Sequence, residues 1–287
     1  MTTLADIAEL VRAPAALSVP GDALTGATAT GALGPRTAGL CAASVCLYWA
    51  GMAANDWADR DLDAKERPER PIPSGRVTPG TALGIAAGLT AGGVVLAGLT
   101  GGRRALAVAV PLAGAVWAYD ISAKNTPAGP AAMAVCRGLD VLLGASADRL
   151  RPALLPALTV AAHTYTVTAL SRREVDGGSP LLPAATLAGT VAVTSAATLL
   201  PPRPARWRRL LPGALAGWYG ARYGTAQLRA ISEPTAASIR GAVASGITTL
   251  PALQGALIAQ EGAPLTGAAV AAAVPAGQYL AKRLSPT

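Results

Sequence analysis

Residues 55–63 carry the side chains most able to do chemistry. Four Asp and one Asn occur in these nine residues, directly after the uncharged run Thr37–Ala54. If one helix continues through the segment, Asn55, Asp59 and Asp63 lie at positions i, i+4 and i+8, and their oxygens form one stripe. Such oxygens are the ligands that a hard cation such as Mg²⁺ requires. The spacing therefore predicts a metal site, against the alternative of a solvated loop beside a membrane.

A basic, proline-rich segment from Lys65 to Arg76 follows the acidic one. It contains Arg67 and Arg70, and an arginine guanidinium binds phosphate oxygens through a planar pair of donors. Acidic residues beside basic residues at a bilayer surface therefore predict a site for a metal together with a phosphate.

The composition predicts a protein embedded in a membrane. Hydrophobic residues make up 52% of the chain, charged residues 14%, and the mean hydropathy is +0.40, whereas about a quarter of the residues in a soluble domain are charged. Four further uncharged runs approach the roughly 20 residues that cross a bilayer as a helix, namely Thr81–Thr100, Pro180–Pro202, Gly241–Leu257 and Gly262–Ala281. Weaker candidates are Ala13–Leu33, Ala105–Tyr119, Ala128–Leu150, Ala153–Leu170 and Arg206–Ile231. The sequence therefore predicts an all-α membrane bundle of nine or ten helices in one domain, residues 1–287.

Polar residues recur after every second predicted span. Residues 55–63 end the second span, residues 119–124 end the fourth, and residues 171–178 end the sixth. Because an even number of crossings returns the chain to the same side of the bilayer, all three clusters are expected on one face. The basic segment beside the first cluster favours the cytoplasmic side. A later loop opposes this orientation with Arg203, Arg206, Arg208 and Arg209.

The formal net charge of +8 raises the question of a nucleic-acid partner. The Lys and Arg residues lie in short loops between apolar runs rather than on one soluble basic face. The sequence therefore predicts no nucleic-acid partner, and it favours a membrane surface or an anionic lipid substrate.

The acidic residues and the segment after them resemble the first signature of the UbiA superfamily of intramembrane prenyltransferases. The resemblance rests on Asn55, Asp56, Asp59 and Asp63, followed by Arg67-Pro68-x-Arg70-Pro71-x-Pro73-Ser74-Gly75. Arg12, ahead of Ala13 and Pro14, resembles the early Arg-Pro of the family, and Tyr119 with Lys124 resembles its fourth-helix Tyr and Lys. The resemblance implies about nine helices around a cavity open sideways to lipid, with Mg²⁺ and a prenyl diphosphate held by two aspartate motifs. Asn55, Asp59 and Asp63 would then bind the metal.

The second aspartate motif of the family is altered in this chain. Where the family carries two aspartates at the end of the sixth helix, this sequence has Ser171 and Val175. Glu174 is the first candidate to replace the missing ligand and Asp176 the second, while Ser171 offers a neutral oxygen. The alteration indicates an atypical branch, so the acceptor of familiar members is not carried over.

Ionisation of a prenyl diphosphate puts negative charge on the leaving diphosphate and positive charge on the allylic carbon. Cationic side chains that neutralise the leaving group are often the largest catalytic contribution. The candidates for this clamp are Arg12, Arg67, Arg70, Lys124 and Arg172, with Tyr119 in the same diphosphate site and Asp56 lining it.

Three ionisable residues lie inside apolar spans, where they are costly and usually face a cavity or a partner. Arg137 and Asp140 are three residues apart, a spacing that allows mutual pairing in the cavity wall, and direct substrate contact is the alternative. His163 shares a helical stripe with Ser171 and Glu174, which directs it either into the cavity or into a hydrogen-bonded core position.

Three functions remain open from the sequence. An intermolecular prenyltransferase would move an isoprenoid chain from its diphosphate to an acceptor. A terpene cyclase on the same scaffold would need no acceptor, and a membrane carrier would need no metal ligands in helical register. The interpretation adopted is an integral protein of the cytoplasmic membrane that transfers a prenyl group with Mg²⁺, its site facing the cytoplasm.

Overall fold

A computed structural model describes residues 2–199 and 210–273. The helices in these ranges are α1 Leu4–Leu10, α2 Pro20–Ala29, α3 Pro35–Ala58, α4 Arg60–Glu66, α5 Pro79–Ala118, α6 Gly129–Ala145, α7 Leu154–Ser171, α8 Leu181–Leu199, α9 Leu210–Ser232, α10 Ala236–Gln260 and α11 Pro264–Ala271. Short 3₁₀ turns cover Ala13–Ser18 and Arg151–Ala153, and a π turn covers Tyr119–Ala123. The described residues contain no β-strand, so the all-α membrane fold expected from the sequence is confirmed.

Helix α5 contains two of the expected spans. Gly102 has φ 67° and ψ −154°, a conformation open to glycine, and it divides the 40 residues of α5. The indole of Trp117 donates to Thr90 Oγ1 over 3.0 Å, although on a straight helix these residues would lie about 40 Å apart. The chain therefore reverses at Gly102, and the expected spans Thr81–Thr100 and Ala105–Tyr119 form a helical hairpin.

Five helical segments of the described chain are long and apolar enough to cross a membrane. They are Pro35–Ala58, Pro79–Ala123, Arg151–Ser171, Leu181–Thr198 and Ala236–Gln260. Other expected spans are shorter as helices, because α2 covers only 10 residues and α6 only 17. The ends of the expected spans Pro180–Pro202 and Gly262–Ala281, the start of Arg206–Ile231, and the loop arginines 203, 206, 208 and 209 lie outside the described residues.

Small residues let α2 and α6 approach closely. A Cβ atom on Gly26 would overlap the carbonyl oxygen of Val141, and one on Gly144 would overlap that of Ala23. Direct backbone contact of this kind is how membrane helices pack without large side chains. It brings Asp22 of α2 beside Arg137 of α6.

Helix α3 is interrupted at Asp59 within the acidic segment. It ends at Ala58, Asp59 has φ −90° and ψ 3°, and α4 begins at Arg60. The helical spacing nevertheless persists, since the amide of Asp59 bonds to the carbonyl oxygen of Asn55 over 2.9 Å and that of Asp63 to the carbonyl oxygen of Asp59 over 2.8 Å. Asn55, Asp59 and Asp63 therefore stay one turn apart, although the Asp63 carboxylate binds Arg70 over 2.6 Å.

Candidate active site

Direct contacts join the three polar clusters expected on one face. Asn55 donates to Asp120 Oδ1 over 3.1 Å, and Lys124 Nζ lies 2.7 Å from Asp59 Oδ2, so the end of α3 meets the π turn after α5. Arg172, at the end of α7, donates to the carbonyl oxygen of Thr126 over 2.5 Å. The clusters are therefore neighbours in one site.

The first part of the site is a buried ion-pair network centred on Arg70. Its guanidinium lies 2.6 Å from Asp63 Oδ2 and 3.3 Å from Asp56 Oδ1. Arg12 approaches the same Asp56 oxygen within 2.8 Å. Two carboxylates with little exposure thus share two arginines, which compensates for the cost of removing each charge from water.

Arg12 holds an unusual backbone conformation in this network. Its φ is 49°, and it is the one non-glycine residue of the described chain with positive φ. Its guanidinium also contacts Met52 Sδ at 3.6 Å. Left-handed backbone at a non-glycine residue costs free energy and persists where side-chain contacts enforce it. The conformation is therefore consistent with the expected place of Arg12 at the site.

Arg67 differs from Arg70 although both belong to the same signature. The Arg67 side chain is 53% exposed and lies 3.9 Å from Asp63, whereas that of Arg70 is 20% exposed and binds two carboxylates. Screening by water weakens an exposed pair of this length. The structure thus separates two arginines that the sequence treats alike.

The second part of the site forms a square of four side chains. Asn55 and Asp59 lie one turn apart at the end of α3, and Asp120 and Lys124 lie four residues apart on and directly after the π turn. Asn55 faces Asp120, and Asp59 faces Lys124. Asp120 was not among the site residues predicted from the sequence. The available signal was an acidic residue at the end of an apolar span, four residues before a lysine.

The π turn explains why Asp120 faces inward. The amide of Lys124 bonds to the carbonyl oxygen of Tyr119 over 3.0 Å, which is the i to i+5 pattern that widens a helical turn by one residue. Asp120 is 3% exposed and Tyr119 is half-buried, and both line the cavity below the polar cluster. Such turns occur often at functional sites.

An apolar cavity of about 120 Å³ extends from this site into the bundle. Its wall includes Leu47, Met52, Leu112, Val116 and Met133. Tyr119 and Asp120 line the cavity, and so do Ser44, Arg137 and Asp140. Ser44 lies 12 residues before Asp56 on α3, which corresponds to about 18 Å along the helix axis. The polar group of Ser44, Arg137 and Asp140 is therefore separated by this distance from the charged site at the end of α3.

Arg137 and Asp140 line the cavity as expected, but they do not pair with each other. Arg137 Nε lies 2.9 Å from Asp22 Oδ2, and Ser44 donates to Asp140 Oδ2 over 2.7 Å. Gln254 of α10 donates to the second oxygen of Asp22 over 2.6 Å. The expected i, i+3 pair is therefore wrong, because the close contact of α2 and α6 offers Arg137 a carboxylate on another helix.

His163 lies in the core and not in the cavity wall. Its Nδ1 is 2.8 Å from the Tyr219 hydroxyl, and its ring meets the rings of Tyr219 and Tyr223 edge-on at 5.3 and 5.6 Å. The expectation that His163 points into the cavity is wrong, because its imidazole is instead hydrogen-bonded to Tyr219 of α9. The alternative, a hydrogen-bonded core histidine, describes its position.

The altered motif at the end of α7 offers few free ligands. Ser171 donates to the carbonyl oxygen of Thr168 over 2.9 Å, and Asp176 is exposed. Glu174 is half-buried, and burial raises the pKa of its carboxyl, an effect opposed by the charges of Arg240 and Arg67. Arg240 also donates to the Glu174 carbonyl oxygen over 2.8 Å. Of these residues, Glu174 alone is a partly buried carboxylate.

The donor set fits Mg²⁺ only if the substrate completes the coordination. Within the described ranges, no group of three or more His, Cys, Asp or Glu side chains is placed to hold a metal. Mg²⁺, however, keeps several waters and usually binds one or two carboxylates together with substrate phosphates. Asn55 and Asp59, one turn apart beside the cavity, satisfy this smaller requirement. Asp63 would join them only after release from Arg70.

The protein is an apolar helical bundle whose cavity ends at paired acidic and basic side chains. These features define a polytopic membrane protein with a charged site at one end of its helices. The sequence profile of the UbiA prenyltransferase family matches residues 18–223. The chain therefore belongs to the UbiA prenyltransferase family, as the first signature indicated.

Digeranylgeranylglyceryl phosphate synthases are among the proteins similar to this chain. The chain is 35% identical over 140 residues to a digeranylgeranylglyceryl phosphate synthase of Methanothrix thermoacetophila, covering 47% of this chain and 52% of that protein. It is 39% identical over 109 residues to one of Methanopyrus kandleri, covering 38% of each. A bacteriochlorophyll synthase 33 kDa chain of Rhodobacter capsulatus is 41% identical over 69 residues, which cover 24% of this chain and 22% of that one. The chain thus spans about half or less of the length of these curated relatives.

Two solved structures share the fold. One, described as concerning digeranylgeranylglyceryl phosphate synthase in membranes, has a TM-score of 0.68 at 18% identity and covers 90% of this chain and 98% of that one. The other, a UbiA homolog from Aeropyrum pernix K1 without ligand, has a TM-score of 0.60 at 21% identity and covers 85% and 96%. At these identities the likeness concerns the fold.

Proposed function

We propose that this chain is a Mg²⁺-dependent prenyltransferase that ionises an isoprenoid diphosphate and joins the prenyl group to an acceptor. The observation that carries the proposal is the position of the Arg70 network and the Asn55–Asp120 square beside one apolar cavity. A prenyl diphosphate has the matching form, a charged head on an apolar chain. Membership of the UbiA prenyltransferase family supports the same reaction.

The ion pairs suggest how the charges are exchanged on binding. Arg12 and Arg70 neutralise Asp56 and Asp63 before substrate is present. A diphosphate offers these arginines stronger, bidentate acceptors, and their carboxylates then become available for a cation. Bound Mg²⁺ would neutralise charge that develops on the leaving oxygens. Arg70, Arg12 and Lys124 would add hydrogen-bond donors fixed in place before the reaction.

The proposed reaction breaks one carbon–oxygen bond and forms one bond to the acceptor. The bond between the first prenyl carbon and the diphosphate oxygen breaks, and the electron pair leaves with the diphosphate. A nucleophilic atom of the acceptor forms a bond to the allylic cation and loses a proton. The names of the relatives suggest a prenylated glyceryl phosphate as the first acceptor to test. We also propose that the site faces the cytoplasm from the cytoplasmic membrane, as the basic segment after α4 favours.

The test compares two aspartates of the same segment. Purified protein is incubated with Mg²⁺ and prenyl diphosphates of ten to twenty carbons, with and without acceptors, and diphosphate release and prenyl products are measured. Asp59→Ala should abolish release. Asp61→Ala is the matched control, because the Asp61 side chain is 89% exposed and lies 3.7 Å from Arg60, its one ion-pair partner among the described residues. The control variant should retain wild-type turnover.

Three outcomes would contradict the proposal. Equal turnover of the two variants would show that Asp59 does not act in the site. Full activity after chelation of divalent cations would show that the reaction does not require a metal. Cyclic hydrocarbon or terpene alcohol formed without any acceptor would identify a terpene cyclase instead.

A further inference from the structure

We propose that Asp120 supplies the metal-binding carboxylate that the altered motif at the end of α7 lacks. The inference rests on the proposed function, and it assigns a residue of the π turn to the cation that accompanies the diphosphate. It replaces the expectation that Glu174 completes the metal site.

The end of α7 presents no pair of carboxylates to the site. Ser171 is engaged with its own helix, and Val175 is 85% exposed. Arg172 is held by carbonyl oxygens of the loop after the π turn. Glu174 lies under the charges of Arg240 and Arg67, so a cation there would meet two arginines.

Asp120 differs from the other acids of the site because no Arg or Lys nitrogen of the described chain lies within 4 Å of it, and the charges of Lys124 and Arg12 act on it only from further away. Asp56, Asp59 and Asp63 each have an Arg or Lys nitrogen within 4 Å. Asp120, though nearly fully buried, forms no ion pair within the described ranges, and its hydrogen bond there comes from the neutral amide of Asn55. A buried carboxylate without a positive partner is costly. A cation bound with the substrate would supply the missing charge.

The geometry leaves Asp120 open towards the cavity. Gly51 faces it from α3, and a Cβ atom on Gly51 would come into van der Waals contact with Asp120 Oδ2 at 3.5 Å, so the missing side chain leaves that oxygen uncovered. Both residues line the cavity. Asn55 donates its amide nitrogen to Asp120, which leaves the Asn55 oxygen for another partner. Asp120 and Asn55 thus offer one carboxylate and one amide oxygen, and Asp59 adds a second carboxylate once its partner Lys124 binds the diphosphate instead. This set suits Mg²⁺ when phosphate oxygens and water are added.

The test measures cation binding apart from turnover. Mn²⁺ replaces Mg²⁺ as a paramagnetic probe, and its affinity for the purified protein is measured by electron paramagnetic resonance with inorganic diphosphate present. Asp120→Asn should weaken Mn²⁺ binding at least tenfold. The change is nearly isosteric, and the new amide oxygen can still accept from Asn55. Glu174→Gln and Asp61→Asn are the controls, and both should bind Mn²⁺ within twofold of wild type.

Thermal unfolding provides the second readout and controls for folding. Without metal, Asp120→Asn should melt at or above the wild-type temperature, because a buried unpaired charge has been removed. Mn²⁺ with diphosphate should then raise the melting temperature of wild type more than that of the variant. Wild-type Mn²⁺ affinity in Asp120→Asn, or loss of affinity in Glu174→Gln alone, would overturn the proposal. If wild type binds Mn²⁺ but turns over no prenyl diphosphate, the proposed function fails while the assignment of Asp120 stands.

Discussion

Asn55 and Asp120 are 65 residues apart in the chain and are joined by a hydrogen bond of 3.1 Å. One turn further along each segment, Lys124 lies 2.7 Å from Asp59. These two contacts lock the end of α3 against the π turn that follows α5. The site is therefore formed by two helices, and a substitution on either helix should affect the site residues of the other.

The two arginines of the first signature should differ in their effect on catalysis. Arg70→Lys keeps a charge but loses the guanidinium, whose Nη1 contacts both Asp56 and Asp63 and whose planar pair of donors suits phosphate oxygens. We therefore expect kcat to fall by at least tenfold, which corresponds to about 1.4 kcal/mol. Arg67→Lys changes an exposed side chain and should lower kcat less than threefold. Steady-state kinetics with a prenyl diphosphate measures both. A wild-type kcat in Arg70→Lys would show that the Arg70 network does not act in the transition state, and equal losses would show that the two arginines do not differ.

The ion pair between Arg137 and Asp22 should contribute to folding. Arg137→Leu leaves Asp22 buried without its partner, and breaking a buried pair in this way costs about 3–5 kcal/mol. Thermal unfolding in detergent should show a clear loss of stability. Restoring neutrality in the double variant Asp22→Asn with Arg137→Leu should recover part of it. If the single variant unfolds like wild type, the pair makes no net contribution to stability.

His163 should matter for stability and not for turnover. His163→Leu removes one hydrogen-bond partner of the Tyr219 hydroxyl, which also bonds to Thr190, and the loss of a buried hydrogen bond costs about 1–3 kcal/mol. Turnover per folded molecule should stay within about twofold of wild type, because His163 does not line the cavity. Thermal unfolding and active-site-normalised kinetics separate the two effects. A large fall in kcat with an unchanged melting temperature would return His163 to the reaction.

The N-terminal helix should loosen at low pH. Arg76 binds Asp6 over 3.0 Å and Glu9 over 2.6 Å, which ties α1 to the segment after Arg70. The pKa of Asp6 is lowered, first by its hydrogen bond from Thr3, and the pKa of Glu9 is lowered, first by its hydrogen bond from Arg76. An acid whose pKa is lowered in the folded protein contributes stability at pH values above its ordinary pKa, which is 3.8 for Asp6 and 4.5 for Glu9. This contribution is lost as the pH falls through the lowered pKa.

Protease sensitivity of α1 at a series of pH values measures this effect. Cleavage should increase as pH falls below about 4 in wild type. Arg76→Gln should be sensitive already at neutral pH, and its own pH dependence should be smaller. A profile unchanged by Arg76→Gln would mean that other contacts hold α1.

The apolar runs of the sequence determined the class of fold, because a backbone in lipid must satisfy its hydrogen bonds within the chain and a helix does so. Asn55, Asp59 and Lys124 were predicted as site residues from their types and their place in motifs, and the structure brings their side chains together. The positions of the polar clusters after every second span also placed them on one face. Local sequence suffices for these conclusions because helical register and span parity are local properties.

Only the tertiary structure decided which helices meet and where a helix changes course. Asp59 interrupts the helix while Asp63 beyond it binds Arg70, and the inward position of Asp120 follows from one π turn. Arg137 binds Asp22 because glycines let α2 and α6 touch, a contact that no spacing within α6 reveals. Periodicity shows which residues share a face, but the partner of that face depends on packing between segments far apart in the chain.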